Sequence, residues 1–367
     1  MGTSKPFDYF LLFMSISNLA LSNISQVLLR NDELLSADKP LFINLMADGF
    51  IESYLTDNPK AEISCYNTNY IDYSAIQNKY NTKVISSFTS EYKSNIKHDL
   101  VIINFPKSKD ELAFTFAMIA PYLLNDAKII IVGEKKGGVQ SCPKLTQHFL
   151  QNCQKVDAAR HCLVFAGIVN AESLSKHFNL DDWYKRYQIN VDNIELTIAS
   201  LPGVFSQKKL DVGTALLLSN LPKTMQGKVL DFGCGAGVIS CFIGTKFPNT
   251  QLSLLDVSAL AITSAKRTLT LNNLSGDVFA SNSLSNVTDK YQHIVSNPPF
   301  HQGTKTSYQA SEDFLKFIKP HISPRGNITI VANSFLQYLP IMQQQIGTTE
   351  CLINKQGFSI YYCQTNK

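Results

Sequence analysis

The stretch Val229-Leu-Asp-Phe-Gly-Cys-Gly-Ala-Gly-Val-Ile-Ser240 decides the fold. Its first residues are apolar and predict a buried β-strand, which runs into three glycines at alternate positions, Gly233, Gly235 and Gly237. A helical pattern begins at Val238. Glycines lack a Cβ atom, so they let backbone N–H groups approach a ligand and they permit the positive φ of a sharp turn. In an open α/β sheet, ligands bind where such a strand ends and the next helix begins. The stretch therefore predicts an α/β sheet with a ligand site at the end of this strand.

The spacing of the glycines favours one kind of ligand. Dinucleotide-binding turns follow the pattern G-x-G-x-x-G, whereas this turn carries no basic residue to meet a phosphate. A second apolar strand, Gln251–Asp256, ends in an acid. A carboxylate in that place can accept hydrogen bonds from both hydroxyls of a ribose. Together these features predict a pocket for S-adenosylmethionine, with the following cofactor-binding residues: Asp231, Gly233, Gly235, Gly237 and Asp256.

A second motif, Asn297-Pro-Pro-Phe300, supplies the chemistry. It follows an apolar stretch that predicts the fourth strand of the sheet. Prolines carry no backbone N–H and cannot continue a strand ladder, so nearby carbonyls and the Asn297 amide oxygen remain free as acceptors. A planar exocyclic amino group offers two donors, and the ring of Phe300 offers a flat face to a base. The motif predicts a clamp for the amino group of a nucleobase, with these catalytic residues: Asn297, Pro298, Pro299 and Phe300.

These motifs resemble the class I methyltransferases that modify exocyclic amines. The wider surroundings are similar to bacterial 16S ribosomal RNA guanine-N2 methyltransferases, notably in Leu201-Pro-Gly-Val-Phe-Ser206, Leu210–Ser219 and Asn297–Gly303. The resemblance is strong from about Leu201 to the C-terminus and weaker in the first half. It implies methyl transfer from S-adenosylmethionine to N2 of a guanine in 16S rRNA, within the small ribosomal subunit or its assembly intermediate.

The resemblance also assigns two further cofactor-binding residues. Asn282 falls where the family contacts adenine, at the end of the third strand, although many relatives of the wider class carry an acid there. Asp211 has two interpretations, since its carboxylate can reach the cofactor end of the pocket or cap the helix that follows it.

Other acceptors stay open at this point. Enzymes that methylate guanine N2 in 23S rRNA are one alternative, because they consist of a degenerate copy of the methyltransferase domain and an active copy. The same motif serves adenine N6 and the glutamine side chain, although Phe300 favours a base because glutamine enzymes favour Tyr in its place. A non-catalytic RNA-binding factor would have lost the glycines or Asn297, and both are present.

The two halves of the chain repeat one pattern. Asp99–Lys107 aligns with Gln292–Phe300, which puts Asn104 where Asn297 stands. The first copy is degenerate, because it has one glycine, Gly49, in place of three and lacks the second proline. We therefore expect two tandem Rossmann-like class I methyltransferase domains in an α/β fold, the N-terminal copy degenerate. The expected divisions are an extension at 1–37, the degenerate domain at 38–167, a linker at 168–200 and the catalytic domain at 201–367.

Composition agrees with a two-domain enzyme that acts on RNA. The chain has 367 residues, of which 44% are hydrophobic, and a formal net charge of +4. The basic surplus lies in the second half, as expected if RNA is drawn to the catalytic domain. The eight cysteines form no C-x-x-C pair and no zinc-ligand spacing, which indicates reduced thiols and no metal. The apolar segment Tyr9–Met14 is a poor secretory signal, so we expect an N-terminal extension, a cytoplasmic location, no membrane partner and a monomer.

Overall fold

The computed structural model describes residues 20–175, 177–298, 312–336 and 338–365. Two of the predicted catalytic residues, Pro299 and Phe300, lie outside these ranges. The described chain divides into two compact units. The first comprises residues 20–67, 72–87 and 93–175, and the second comprises 68–71, 88–92 and the described residues from 177 onwards. Within these ranges, no helix is long and apolar enough to cross a membrane.

The first unit contains a seven-stranded sheet in the order β3-β2-β1-β4-β5-β7-β6. The first five strands are parallel, and β7 pairs antiparallel with both β5 and β6. The strands are β1 Pro40–Ile43, β2 Ile63–Tyr66, β3 Val84–Ser87, β4 His98–Asn104, β5 Leu123–Glu134, β6 Leu150–Ala159 and β7 Cys162–Val169. The helices are α1 Asn23–Leu29, α2 Phe50–Asp57, α3 Tyr70–Tyr80, α4 Lys109–Ile119 and α5 Cys142–Thr146. The first two residues of α3 belong to the second unit.

The second unit contains another seven-stranded sheet, in the order β12-β11-β10-β13-β14-β16-β15, and a separate hairpin of β8 and β9. The strands are β8 Lys185–Val191, β9 Ile194–Ser200, β10 Gly227–Phe232, β11 Thr250–Asp256, β12 Asp277–Ala280, β13 Tyr291–Ser296, β14 Ile322–Asn333, β15 Thr349–Lys355 and β16 Phe358–Gln364. The helices are α6 Val212–Leu218, α7 Val238–Lys246, α8 Ala259–Leu271, α9 with described residues 312–317, and α10 Tyr338–Gln345.

The two sheets have the same strand order, which confirms the predicted fold of two tandem Rossmann-like domains. Both sheets bury their central strands, as apolar runs such as Val101–Ile103 and Val229–Leu230 predict for a parallel sheet covered on both faces. In the first unit, the ring of Phe42 on β1 packs edge-on against Phe50 and Tyr54 of α2. In the second unit, the ring of Phe232 on β10 stacks on Phe314 of α9 at 3.8 Å between ring centroids.

The last part of residues 168–200, the segment predicted as a linker, has regular secondary structure. Residues 185–200 contain the β8–β9 hairpin, and one face of α8 hydrogen-bonds the backbone of β9 at every second residue. Asn272 bonds both backbone groups of Thr197 at 2.7 and 3.0 Å, the Thr268 hydroxyl bonds both groups of Ala199 at 3.1 and 3.2 Å, and Ser264 accepts from Leu201 N–H at 3.0 Å. Ser264 and Thr268 lie on α8, and Asn272 is its C-cap. The three residues recur at intervals of four, so they share one face. The hairpin is therefore an integral layer of the second unit.

Candidate active site

A cavity of about 490 Å³ opens at the carboxyl edge of the second sheet. The central strands β10, β11 and β13 are parallel neighbours, so their carboxyl ends meet at this edge. The predicted site residues that line the cavity are Asp211, Gly233, Gly235, Asp256, Asn282, Asn297 and Pro298. The structure thus brings together seven residues that come from five separate segments of the sequence.

The three glycines of the turn all have left-handed backbones, with φ of +72° at Gly233, +54° at Gly235 and +77° at Gly237. A Cβ atom added at Gly233 or Gly235 would meet no described atom within 4 Å, because both face the open cavity. A Cβ atom at Gly237 would lie 3.1 Å from Cα of Ala265 on α8. The first two glycines therefore leave room for a ligand, whereas Gly237 lets α7 pack closely on α8 and does not line the cavity.

Asp231 is fully buried and lies outside the cavity lining. Its Oδ2 accepts hydrogen bonds from the backbone N–H of Ser240 at 3.1 Å and from the Ser240 hydroxyl at 2.8 Å. Its Oδ1 is buried without a partner among the described residues. Burial raises the pKa of Asp231 to about 7. The structure places Asp231 where it fixes the start of α7, so it positions the glycine turn from outside the cavity.

Asp256 is the last residue of β11; it hydrogen-bonds the glycine turn and lines the cavity. Its Oδ2 accepts from the backbone N–H of Gly235 at 3.0 Å, and its Oδ1 accepts from Ser258 N–H at 2.9 Å. Burial raises the pKa of Asp256, while these backbone hydrogen bonds oppose the rise. A carboxylate oxygen can accept more than one hydrogen bond, so capacity for the two hydroxyls of a ribose remains.

The amide of Asn297 has a fixed orientation. Its Nδ2 donates to Thr214 Oγ1 at 2.8 Å and to Asp211 Oδ2 at 3.2 Å. An ionised carboxylate can only accept hydrogen bonds, so the amide nitrogen must face Asp211 and the amide oxygen must face away from it. The chain thereby presents Asn297 Oδ1 as an acceptor next to Pro298, which is buried at the cavity wall.

Asp211 caps a helix and also lines the cavity, so its role at the cofactor end stays a prediction. Its Oδ2 accepts from the backbone N–H of Thr214 at 2.9 Å, which makes Asp211 the N-cap of α6. The same oxygen accepts from Asn297, a contact that sequence reasoning missed. Thr214 and Asn333 were also missed, although both line the cavity. Asn333 ends β14 at the same sheet edge as Asn297, and this position was the available signal.

In the first unit, side chains of the protein occupy the position that corresponds to the cavity of the second unit. The Asn104 amide donates to the backbone carbonyl of Asn44 at 3.0 Å. Gly49 has φ of −74°, and Asn44, which follows β1 as Gly233 follows β10, has φ of +52°, so this loop has a left-handed residue but no left-handed glycine. Phe105, which stands where the second unit has Pro298, is buried, and its Cβ lies 2.7 Å from the point where Gly133 would carry a Cβ. These contacts agree with a degenerate copy.

Comparison with known proteins places these observations in a family. The model of the "Methyltransferase small domain" matches residues 195–362, and that of the "Methyltransferase small domain N-terminal" matches residues 25–187. A solved T. thermophilus structure, the 16S rRNA N2 G1207 methyltransferase in complex with AdoMet and guanosine, aligns with a TM-score of 0.77 and 18% identity over 91% of each chain. That likeness shows a common fold across both units.

Two relatives share the same name, "Ribosomal RNA small subunit methyltransferase C". The Psychromonas ingrahamii protein is 38% identical over 352 residues, which cover 96% of this chain and 99% of that protein. The Colwellia psychrerythraea protein is 64% identical over 351 residues, which cover 94% of this chain and 98% of that protein. Identity at this level along nearly the whole of both sequences shows that the chain belongs to the ribosomal RNA small subunit methyltransferase C family.

Proposed function

We propose that the protein transfers the methyl group of S-adenosylmethionine to the exocyclic N2 of a guanine in 16S rRNA. The observation that carries this proposal is the fixed amide of Asn297, held by Asp211 and Thr214 in the wall of a cavity that also contains the glycine turn. The names of the relatives support the small-subunit RNA as substrate.

The residues at the glycine turn fit the cofactor. Gly233 and Gly235 leave open space in which a ligand can lie against the backbone. Asp256 and Asn282 both line the cavity. We expect Asp256 to accept the ribose hydroxyls and the Asn282 amide to pair with adenine. When bound, S-adenosylmethionine supplies a methyl group that is already electrophilic. The protein therefore needs to orient the two reactants and to prepare the acceptor nitrogen.

The acceptor side presents the chemical difficulty, because the lone pair of guanine N2 is delocalised into the ring. In this proposal Asn297 Oδ1 and the Pro298 carbonyl accept the two N2 hydrogens. This draws the nitrogen towards tetrahedral geometry and aims its lone pair at the methyl group. The same acceptors stabilise the positive charge that builds on nitrogen during the transfer, and holding the reactants at near-attack distance lowers the barrier further.

The target base must leave its stack to reach the cavity. Phe300 is proposed to receive the face of the base, and Pro299 is proposed to complete the clamp; both lie outside the described residues. The N2 proton is proposed to leave to water after the transfer. The expected substrate is 16S rRNA in the small subunit or an assembly intermediate, and the protein is expected to act as a cytoplasmic monomer.

Methyl-labelled S-adenosylmethionine tests the proposal directly. The purified protein is incubated separately with unmodified 30S subunits, free 16S RNA and 23S RNA. Label on N2 of a guanine in small-subunit RNA is expected. Asn297→Ala should lose the label, whereas Asn104→Ala, the same change in the first unit, should retain it.

The other outcomes reject the proposal in different ways. Label on 23S RNA alone would move the assignment to the large subunit. Tight cofactor binding without label on any RNA would point to a protein acceptor. Absence of cofactor binding would remove the enzyme assignment.

A further inference from the structure

The edge strand β6 of the first unit carries a β-bulge. Its pairing with β7 passes from Gln151↔Ile168 to Gln154↔Ala166, so Asn152 and Cys153 together oppose the single residue Gly167. Asn152 has a left-handed backbone with φ of +52°. A Cβ at Gly167 would lie 3.0 Å from the carbonyl oxygen of Gln151 and 3.2 Å from Cα of Cys153, so the bulge packs directly against this glycine.

The bulge decides where the side chain of Cys153 points. An extra residue in a strand shifts the alternation of side chains and can redirect one of them to the other face. Here Cys153 is half-buried between the exposed residues Asn152 and Gln154. Its sulfur lies 4.0 Å from the sulfur of Cys142, the buried first residue of α5. The local backbone thus brings two of the eight cysteines into contact.

The two thiols differ in reactivity. Cys153 is half-buried, whereas Cys142 is fully buried. The contact between the two sulfurs lowers the pKa of Cys153, and the same contact, with burial, raises the pKa of Cys142. The thiolate is the nucleophilic form of cysteine. Cys153 is therefore the half-buried attacking sulfur, and Cys142 is the protonated sulfur beside it. This division of roles is the one required for two-step oxidation by an external oxidant.

We propose that Cys142 and Cys153 are a redox modification site that hydrogen peroxide converts into a reversible disulfide. In the first step, the Cys153 thiolate attacks a peroxide oxygen; an S–O bond forms, the O–O bond breaks, and the hydroxide that leaves takes up a proton to become water. In the second step, Cys142 loses its proton and attacks the sulfur of the Cys153 sulfenic acid. The S–S bond forms, the S–O bond breaks, and a second water leaves. The peroxide gains two electrons, and the two thiols lose them.

The local structure permits the movement that this bond needs. A disulfide has sulfurs about 2.0 Å apart, so the two atoms must approach by roughly 2 Å. Cys153 lies in a bulge on an edge strand, where the ladder is already interrupted. Rotation about its Cα–Cβ bond moves the sulfur without displacing a central strand. The closed disulfide would join α5 to β6.

The test uses the full chain treated with hydrogen peroxide, blocked with an alkylating agent and digested for mass spectrometry. We expect a linked peptide joining Cys142 and Cys153, which dithiothreitol reverses, as the main product at low peroxide excess. Cys351→Ser removes an exposed cysteine elsewhere and should leave this product unchanged. Absence of the linked peptide, while other cysteines become oxidised, would overturn the proposal.

A second experiment separates the two roles. In Cys142→Ser the sulfenic acid on Cys153 has no neighbour to react with, so dimedone should label Cys153 in this variant at least about tenfold more than in the parent chain. In Cys153→Ser, Cys142 should remain reduced under the same conditions. Equal dimedone labelling of Cys153 in the parent chain and in Cys142→Ser would contradict the assigned roles. The linked peptide of the parent chain remains a readout that depends on no variant.

Discussion

A single carboxylate oxygen, Asp211 Oδ2, performs two tasks at the residue scale. It accepts from Thr214 N–H to cap α6, and it accepts from the Asn297 amide to fix its orientation. The first task concerns stability and the second concerns the reacting base. A substitution that keeps the cap but loses the longer reach can therefore separate them.

Asp211→Ser is expected to keep the cap, because a serine hydroxyl accepts from the same N–H. It is too short to hold Asn297, so the amide oxygen becomes mispositioned. We expect kcat to fall by about 10–100-fold, since small misplacement of a reacting group costs about that much, with little change in the affinity for S-adenosylmethionine. Single-turnover kinetics and a cofactor titration measure the two quantities. An equal loss of cofactor affinity would instead indicate that Asp211 acts at the cofactor end of the cavity.

Gly235 and Gly237 are a matched pair, because both have positive φ but face different surroundings. Alanine in a left-handed backbone costs about 1–2 kcal/mol in either place. At Gly235 the added methyl enters the cavity, so we expect cofactor affinity to fall at least tenfold, or about 1.4 kcal/mol. At Gly237 it meets the α8 backbone, so we expect a further loss of stability of about 1–3 kcal/mol. Calorimetric titration measures the affinity and urea unfolding measures the stability of both variants. A larger loss of affinity at Gly237 than at Gly235 would contradict this assignment.

The buried carboxyl of Asp231 predicts a pH-dependent stability. Its folded-state pKa is raised to about 7, whereas in an unfolded chain it is about 3.9. Between these values the folded protein binds a proton that the unfolded chain has released, so its contribution lowers the free energy of unfolding as the pH rises from about 4 to about 7. Asp231→Asn should remove this pH-dependent contribution and flatten the dependence of the free energy of unfolding on pH, measured by urea unfolding.

Burial also raises the pKa of Glu111 to about 7, so Glu111→Gln should flatten the same dependence. An unchanged slope in both variants would refute the assignment.

At the scale of the elements, the row of polar side chains on α8 stabilises β9. Thr268 is fully buried and bonds both backbone groups of Ala199. Thr268→Val would leave these two groups without partners, and each orphaned group costs about 1–3 kcal/mol. We therefore expect a loss of about 2–5 kcal/mol in unfolding experiments. The exposed Thr270 on the same helix is the control, and Thr270→Val should change stability by less than about 0.5 kcal/mol. Similar losses in both variants would mean that the bonds to β9 contribute little.

The elements that the sequence predicted best are those with a strong local signal. The glycine turn, Asp256 and the strand before Asn297 were located within a few residues, since buried apolar runs and glycine spacing are local features. The β8–β9 hairpin was missed because the outer backbone groups of β9 are hydrogen-bonded by side chains at α8, about 70 residues away in the sequence. The contact of Asp211 with Asn297 has the same cause, since it joins residues 86 positions apart. Helix α10 was not predicted either; Pro340 lies near its start.

On the scale of the whole molecule, the two sheets share one topology but differ in their expected capacity to bind the cofactor. The second unit has the left-handed glycine turn and an open cavity, whereas in the first unit Gly49 has an ordinary backbone and Phe105 fills the equivalent position. We therefore expect the full chain to bind one S-adenosylmethionine. Equilibrium dialysis with labelled cofactor measures this stoichiometry, and Asp256→Ala should weaken the binding strongly. Two cofactors per chain would show that the first unit has retained a site.

The hairpin bonded to α8 also determines where the chain can be cut. A fragment that begins at Leu201, the predicted start of the catalytic domain, would leave the buried hydroxyl of Thr268 without its backbone partners on Ala199. Starting at residue 195, where the family match begins, would remove β8 and strip β9 of its paired strand. A fragment that keeps the hairpin must therefore begin before Lys185, and we expect poor solubility of shorter ones to reflect a severed hairpin and not a defect in the active site.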